Sequence, residues 1–330
     1  MKFLIAGFGS IGRRHFRNLL TLGEQDIVLY RTRHSTLPDD ELQGFTVETD
    51  LEAALAHGPD AVIIANPTAL HLDVAIPAAR AGCSILMEKP ISNDLNRMDE
   101  LAAALDSGGG KLLMGFQFRF HPGLKAIRRL LDEDTIGRAL SARAHWGEYL
   151  PGWHPWEDYR KSYSARSDLG GGVVLTLCHP LDYLRWMFGE VRKVSATCAK
   201  ISDLEIDVED FAEIGLEFEN EVRASVHLNY YQQPAAHFLE IIGTEGTARW
   251  DNTDGGVRYF RADSGEWESI PAPDGFDRND LFLDETRHFL SVARKEVEPA
   301  CGLEDGIQDL KLVQGVYQAS LSQTKMGLDS

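Results

Sequence analysis

The sequence predicts an α/β protein: a doubly wound parallel sheet first, then an α+β domain built on a large open, mostly antiparallel sheet. Three observations predict it. A glycine-rich turn stands directly behind the first apolar run, at residues 7–12. Through residue 120, short apolar runs alternate with segments of helical period. From Val191 onward, apolar and polar residues alternate in runs joined by short turns such as Phe218-Glu219-Asn220-Glu221.

Taken in order, Lys2–Ala6 is the first strand. Ile11–Leu22 is a helix, because Ile11, His15, Leu19 and Leu22 recur at helical spacing and Gly23 can close the last turn. Ile27–Tyr30, Ala61–Ala65, Ser84–Met87 and Lys111–Phe116 follow as strands, with helices at Leu51–Ala56, His71–Ala81 and Leu95–Leu105. Strands that read as continuous apolar runs between helices belong to a parallel sheet covered on both faces. After His121-Pro122 come a helix at Leu124–Leu131, an alternating segment at Ala139–Trp146 and a Trp/Tyr-rich loop from Glu148 to Tyr163. A helical stretch from Gly170-Gly171-Gly172 ends at Gly189. Strands follow at Val191–Cys198, Phe211–Phe218, Val222–Tyr230, Phe238–Ile242 and Thr247–Trp250, and helices near Leu281–Arg294 and Asp305–Ser320 close the chain. At roughly 100–200 residues per domain, 330 residues predict two domains, 1–120 and 121–330.

Composition removes several functions. The formal charge of −18 repels phosphate backbones, so nucleic acid is excluded as a partner. No run of about 18 apolar residues occurs, so no membrane span is expected. The N-terminal apolar run is broken by glycines and followed by arginines, unlike a secretory leader. Cys83, Cys178, Cys198 and Cys301 are scattered without metal-site spacing, which suits reduced thiols in a cytoplasm and no metal. An exposed antiparallel sheet invites pairing with a second copy, so a homodimer or homotetramer is expected.

Gly7-Phe8-Gly9-Ser10-Ile11-Gly12 lies between a strand and a helix, the context in which such a turn binds a dinucleotide. Gly7 permits the tight turn, Gly9 lets a pyrophosphate approach the backbone, and Gly12 lets helix and strand pack closely, with the helix N-terminus facing the phosphates. An NAD site places an acid at the end of the second strand. Here that strand ends Tyr30-Arg31-Thr32-Arg33, and Asp26 lies at its other end. Arg31 and Arg33 suit a 2′-phosphate or the adenine face, so NADP is favoured over NAD; the alternatives are that both are solvated loop charges, or that a loop carboxylate such as Asp39 folds back onto the ribose. Glu88-Lys89-Pro90 closes another strand, at the end where open sheets bind ligands. Lys89 there can stabilise an alkoxide forming beside a nicotinamide, or be a surface lysine paired with Glu88.

These motifs together resemble the Gfo/Idh/MocA family, which includes glucose–fructose oxidoreductase, inositol dehydrogenase and many sugar and nucleotide-sugar dehydrogenases. The resemblance runs over nearly the whole chain. It takes in Asn66-Pro67-Thr68-x-x-His71, Glu88-Lys89-Pro90, Gly115-Phe116-Gln117-Phe118-Arg119-Phe120-His121-Pro122, and a Gly170-Gly171-Gly172 segment leading to His179. It implies a Rossmann domain and a second domain whose sheet carries substrate and oligomer contacts. It also implies that Lys89 is the catalytic lysine and that Asn66, Pro67, Thr68, His71, Glu88, Lys89 and Gln117 line the cofactor site.

The segment from Gly170 departs from the family pattern, GGG-x-x-x-Asp with His four residues on. Thr176 stands at the Asp position and His179 follows after three residues. His179 is implied as the general base, and Asp182, three residues further, is the carboxylate that can reach the same pocket. Pro180 means that a helix either begins near His179 or kinks there; in the first case the positive helix end favours a neutral imidazole. Arg119, Trp156, Arg160 and Thr176 are expected to contact a sugar-like substrate, since aromatic faces pack on sugar C–H groups and charged ends select polar substituents. The function expected is hydride transfer between a nicotinamide and a secondary alcohol or ketone of a sugar, cyclitol or nucleotide-sugar derivative. The alternatives are a non-catalytic dinucleotide-binding regulator and an NAD-dependent glycosidase on the same fold.

Overall fold

A computed structural model describes residues 1–32 and 40–322. The chain forms two compact units, one of Met1–Gln117, Asp168–Gly170 and Asp277–Leu310, the other of Phe118–Ser167, Gly171–Phe276 and the residues from Lys311 on.

In the first unit the elements run β1 (Phe3–Ala6), α1 (Ser10–Thr21), β2 (Ile27–Tyr30), β3 (Thr46–Glu48), α2 (Leu51–Ala56), β4 (Ala61–Ile64), α3 (His71–Arg80), β5 (Ser84–Glu88), α4 (Met98–Gly108) and β6 (Leu112–Gly115). The six strands make one sheet in the order β3-β2-β1-β4-β5-β6, every pairing parallel. Every residue of β1, β4, β5 and β6 is buried, as the unbroken apolar runs require when both faces of a sheet are covered. The order reverses between β1 and β4, placing the turn after β1 at the switch point where doubly wound sheets bind ligands.

In the second unit α5 (Pro122–Asp132) leads to β7 (Ala139–Tyr149), then α6 (Val173–Thr176) and α7 (His179–Phe188). The strands β8 (Val191–Ala199), β9 (Phe211–Phe218), β10 (Arg223–Asn229), β11 (Tyr231–Gly243), β12 (Gly246–Asp251), β13 (Val257–Arg261) and β14 (Glu266–Ile270) complete an eight-stranded sheet with β7. Its order is β14-β13-β12-β11-β7-β10-β9-β8; all pairs are antiparallel except β7 with β10. One face is packed. In β7 Ala142, Ala144 and Trp146 are buried while Arg143 between them is exposed, and in β10 Ala224, Val226 and Leu228 alternate with half-buried Ser225 and His227. The chain continues with α8 (Arg278–Ala293) and α9 (Leu303–Ser322).

Three strands lie where the sequence reading has none: β3, β13 and β14. β3 is three residues, none of them buried, and β14 shows no buried alternate face, four of its five residues being exposed. β3 and β14 are sheet-edge strands and β13 lies between β12 and β14; all three are held by ladder hydrogen bonds rather than by an apolar face. The helical stretch expected from Gly170 to Gly189 is two helices, α6 and α7, with Leu177-Cys178 between them.

Candidate functional site

The dinucleotide turn is shaped by contacts that only glycine permits. Gly7 has φ +93°, and a Cβ there would lie 2.6 Å from both Ala65 O and Asn66 N. A Cβ on Gly12 would lie 2.2 Å from Gly7 O. On the Cβ side of Gly9, by contrast, nothing approaches within 4 Å. Gly9 is the N-cap of α1; no side chain caps that helix end and no acid occupies its first turn. The first N–H groups therefore face outward with the positive end of the helix dipole, beside open space. Two more polar atoms fit a bound group: Asn66 Oδ1 and Gln117 Oε1 are buried without a hydrogen-bond partner. Uncapped N–H donors, an open approach at Gly9 and orphaned acceptors suit a dinucleotide.

Around this turn, Phe8 is buried beneath the Arg13 guanidinium, 4.6 Å from the ring centroid, and Arg13 pairs with Glu41 at 3.1 Å. Ser10 and Ile11 open α1. Arg31, just past β2, is buried at 6% exposure, so it is not a solvated loop charge; its N–H donates to Glu48 O at 3.0 Å. Arg33 and Asp39 lie outside the described residues.

The segment after β4 is tied to the one after β5. Asn66 Nδ2 donates to Leu70 O at 3.0 Å, and Pro67 precedes the single helical turn Thr68–Leu70. The His71 ring, wholly buried, has Nδ1 2.9 Å from Pro90 O and Nε2 3.0 Å from Asn66 O. Burial holds its pKa below the usual histidine value against the opposing pull of these carbonyls, so the ring is a neutral strap between the two loops. The sequence reading gives His71 a cofactor role; the strap joining Asn66 to the Lys89-Pro90 segment is visible only in the fold. Glu88 accepts from His15 Nε2 at 2.7 Å, and Glu285 of α8 completes a buried group with them.

In the second unit α7 begins at His179 with Pro180 in its first turn, the first of the two arrangements that Pro180 allows. His179 is buried, with the Phe118 ring edge-on at 4.9 Å and Trp146 tilted at 5.5 Å. One turn further, fully buried Asp182 accepts from Arg119 Nη2 at 2.6 Å and from Nε at 2.9 Å. The expected substrate arginine and the expected carboxylate are thus brought together as a bidentate pair. Thr176 is buried at the end of α6. Trp156, 67% exposed, and Arg160 lie on the surface of this unit. Arg160 Nε bonds Asp158 at 2.8 Å and Nη1 bonds Glu205 at 2.9 Å, and these carboxylates hold its charge more firmly than in a free arginine.

From the sequence His121, like Arg119, is a candidate for shaping the substrate pocket; in the fold its Nδ1 accepts from Gly123 N–H at 2.9 Å and caps α5, a role that the sequence reading does not give it. Sequence reasoning gives no site role to His15, read only as part of the α1 period, or to Glu285. The signal for these was a polar residue in a core-facing helical register, His15 among Ile11 and Leu19, and Glu285 among Leu281, Phe282 and Phe289.

The family described as "Oxidoreductase family, NAD-binding Rossmann fold" matches residues 1–116, and the one described as "GFO/IDH/MocA C-terminal domain" matches residues 124–249. The D-xylose 1-dehydrogenase [NADP(+)] of Haloarcula marismortui is 25% identical over 295 residues, 86% of this chain and 79% of its own. The D-apiose dehydrogenase of Paraburkholderia graminis is 26% identical over 345 residues, 96% of this chain and 86% of its own. Among solved structures, a levoglucosan dehydrogenase in complex with NADH shares the fold with a TM-score of 0.85 at 20% identity, over 97% of each chain. Among the described residues no helix is long and apolar enough to cross a membrane.

Proposed function

Since this chain belongs to the Gfo/Idh/MocA oxidoreductase family, we propose that it moves hydride between a nicotinamide dinucleotide and a secondary alcohol or ketone of a sugar, cyclitol or nucleotide-sugar derivative. The observation that carries this reading is the Gly7–Gly12 turn, with its uncapped helix end and the orphaned acceptors of Asn66 and Gln117. The residues for the cofactor are Gly7, Phe8, Gly9, Ser10, Ile11, Gly12, Arg31, Asn66, Pro67, Thr68, His71, Glu88, Lys89 and Gln117. NADP is favoured over NAD: a buried arginine rather than an acid follows β2, and a relative named as NADP(+)-dependent supports the same choice. Relatives named for D-xylose and D-apiose support a sugar-like substrate.

Once bound, the nicotinamide supplies the hydride acceptor or donor. The protein's part is proton and charge management. Lys89 offers its ammonium to the reacting hydroxyl and stabilises the alkoxide as it forms. His179 takes the hydroxyl proton on its ring; its place at the start of α7 favours the neutral form that a base needs. Asp182 holds the Arg119 guanidinium in place and serves through it. Arg119, Thr176, Trp156 and Arg160 are proposed substrate contacts. Four thiols without a disulfide support a reducing cytoplasm. The half-exposed face of the eight-stranded sheet, with Leu140 and Ile242 upon it, supports a homodimer or homotetramer.

The test is a panel of sugars, sugar acids, inositols and nucleotide sugars, each assayed with NAD and NADP for reduced-nicotinamide absorbance. Turnover on at least one is expected, with Lys89→Ala lowering kcat by about 10²-fold or more. Absence of binding to either dinucleotide defeats the proposal.

A further inference from the structure

Three ionisable side chains from separate elements meet inside the first unit: His15 on α1, Glu88 at the end of β5 and Glu285 on α8. One ligand-type atom from each lies within 4.8 Å of the others. His15 and Glu285 are 0% exposed and Glu88 is 9% exposed. Only one hydrogen bond within the group is made, His15 Nε2 to Glu88 Oε1 at 2.7 Å. Both Glu285 oxygens and His15 Nδ1 are buried without a hydrogen-bond partner. Phe282, one turn before Glu285, stands edge-on to the His15 ring at 6.2 Å, with the Arg14 guanidinium over the Phe282 ring, 4.5 Å from its centroid.

An ionised carboxylate with no donor is the most expensive group a protein interior can hold, and it neutralises instead. Two neutralisers are possible, a metal cation and a proton. Two ligands of one tetrahedral zinc lie about 3.4 Å apart at ordinary bond lengths. His15 and Glu88 stand closer than that, in direct hydrogen-bond contact. A cation would have to part a bond already made, whereas a proton on Glu285 requires no movement. Burial, and then the charge of Glu88, push the Glu285 pKa well above the carboxylate range. The other titratable groups bearing on the cluster are Arg14 on α1 and His71 on α3, both through Glu88, and, through Arg14, Arg278, Asp277 and Arg17.

We propose that Glu285 is carried as an uncharged carboxylic acid and acts as a positioning residue for Lys89, by closing the remaining side of the His15–Glu88 pair. Glu88 is the last residue of β5 and Lys89 follows it directly, so whatever fixes the Glu88 side chain inward also fixes the backbone from which Lys89 departs. An ionised Glu285 would repel Glu88 from His15 and release that constraint. The proposal rests on the reading of Lys89 as the group that stabilises the alkoxide.

The experiment joins infrared spectroscopy of the full-length protein to kinetics. The wild-type minus Glu285→Gln difference spectrum at neutral pH is expected to contain one protonated-carboxyl carbonyl band, shifted in D2O. Glu285→Leu is expected to lower kcat about tenfold with KM for dinucleotide and substrate within threefold. Glu285→Gln, uncharged but able to hydrogen-bond, is expected to rescue most of that loss. A missing band, a stoichiometric divalent metal in the purified protein, or unchanged kcat in Glu285→Leu would each overturn the proposal. Lys89→Ala is run in parallel: full turnover there sinks the Lys89 reading, while the infrared band still judges the state of Glu285 separately.

Discussion

Removing Arg119 isolates what the buried pair in the second unit does. Arg119 is 7% exposed and Asp182 0%, and the guanidinium reaches the carboxylate through Nη2 at 2.6 Å and Nε at 2.9 Å. Substituting Arg119→Met leaves the Asp182 carboxylate without that partner, and breaking such a pair costs about 3–5 kcal/mol. Replacing both ends with apolar groups of similar volume, Arg119→Met with Asp182→Leu, removes the charge to be satisfied as well as the one satisfying it. The double variant is therefore expected to recover most of the loss, giving a coupling of about 3 kcal/mol in a double-mutant cycle. Urea denaturation followed by far-ultraviolet circular dichroism measures each stability, with the m-value checked for constancy. Turnover adds a second axis. A double variant that regains stability but not kcat assigns the pair to catalysis as well as to folding. A loss below about 1 kcal/mol for Arg119→Met would refute the argument, because only a solvated pair is so cheap to break.

Gly12→Ala should raise the dissociation constant for the dinucleotide more than tenfold and cost about 1–3 kcal/mol, since its Cβ would lie 2.2 Å from Gly7 O; fluorescence titration with reduced dinucleotide measures it, and unchanged affinity counts against the turn as the binding site. His121 is pushed down to about 4 by burial, and protonation would also remove the Nδ1 acceptor that caps α5. Its stabilising contribution of about 3 kcal/mol is thus complete above the ordinary histidine pKa near 6.5 and is lost as pH falls from there to about 4; His121→Asn, which keeps a cap, should flatten that part of the stability–pH curve. Burial pushes the Cys83 and Cys198 thiols up to about 11, leaving about a thousandth as thiolate at pH 8. Both should react slowly with an aromatic disulfide reagent until the protein is unfolded, and fast native labelling at buried Cys83 or half-buried Cys198 would contradict a thiol held so far above the assay pH.

The elements that were legible in the sequence are those whose register is fixed by a local apolar pattern. β1, β4, β5 and β6 are unbroken apolar runs because both faces of their sheet are covered, and β7, β9 and β10 alternate because one face is not. β3 and β14 carry neither pattern. Their residues are held by a neighbour's backbone at a sheet edge, and backbone pairing leaves no trace in side-chain hydropathy. The grouping of Asp277–Leu310 with the first unit is equally silent, since α8 reads as the same amphipathic helix whichever sheet it covers.

The candidate site divides along the same line. The Gly7–Gly12 turn can be read directly because the demand on each glycine comes from a few nearby backbone atoms. Asp182 cannot, because what decides its role is Arg119, 63 positions away in the chain. The same holds for His71, whose function as a strap depends on Pro90, and for Glu285, which gains its meaning from His15 and Glu88. What the sequence does hold in these cases is a mismatch: an ionisable side chain where the helical period calls for an apolar one. A buried charge without a partner is too costly to persist, so each mismatch implies a compensating group elsewhere in the fold. Arg119 is that group for Asp182, and for Glu285 it is a proton.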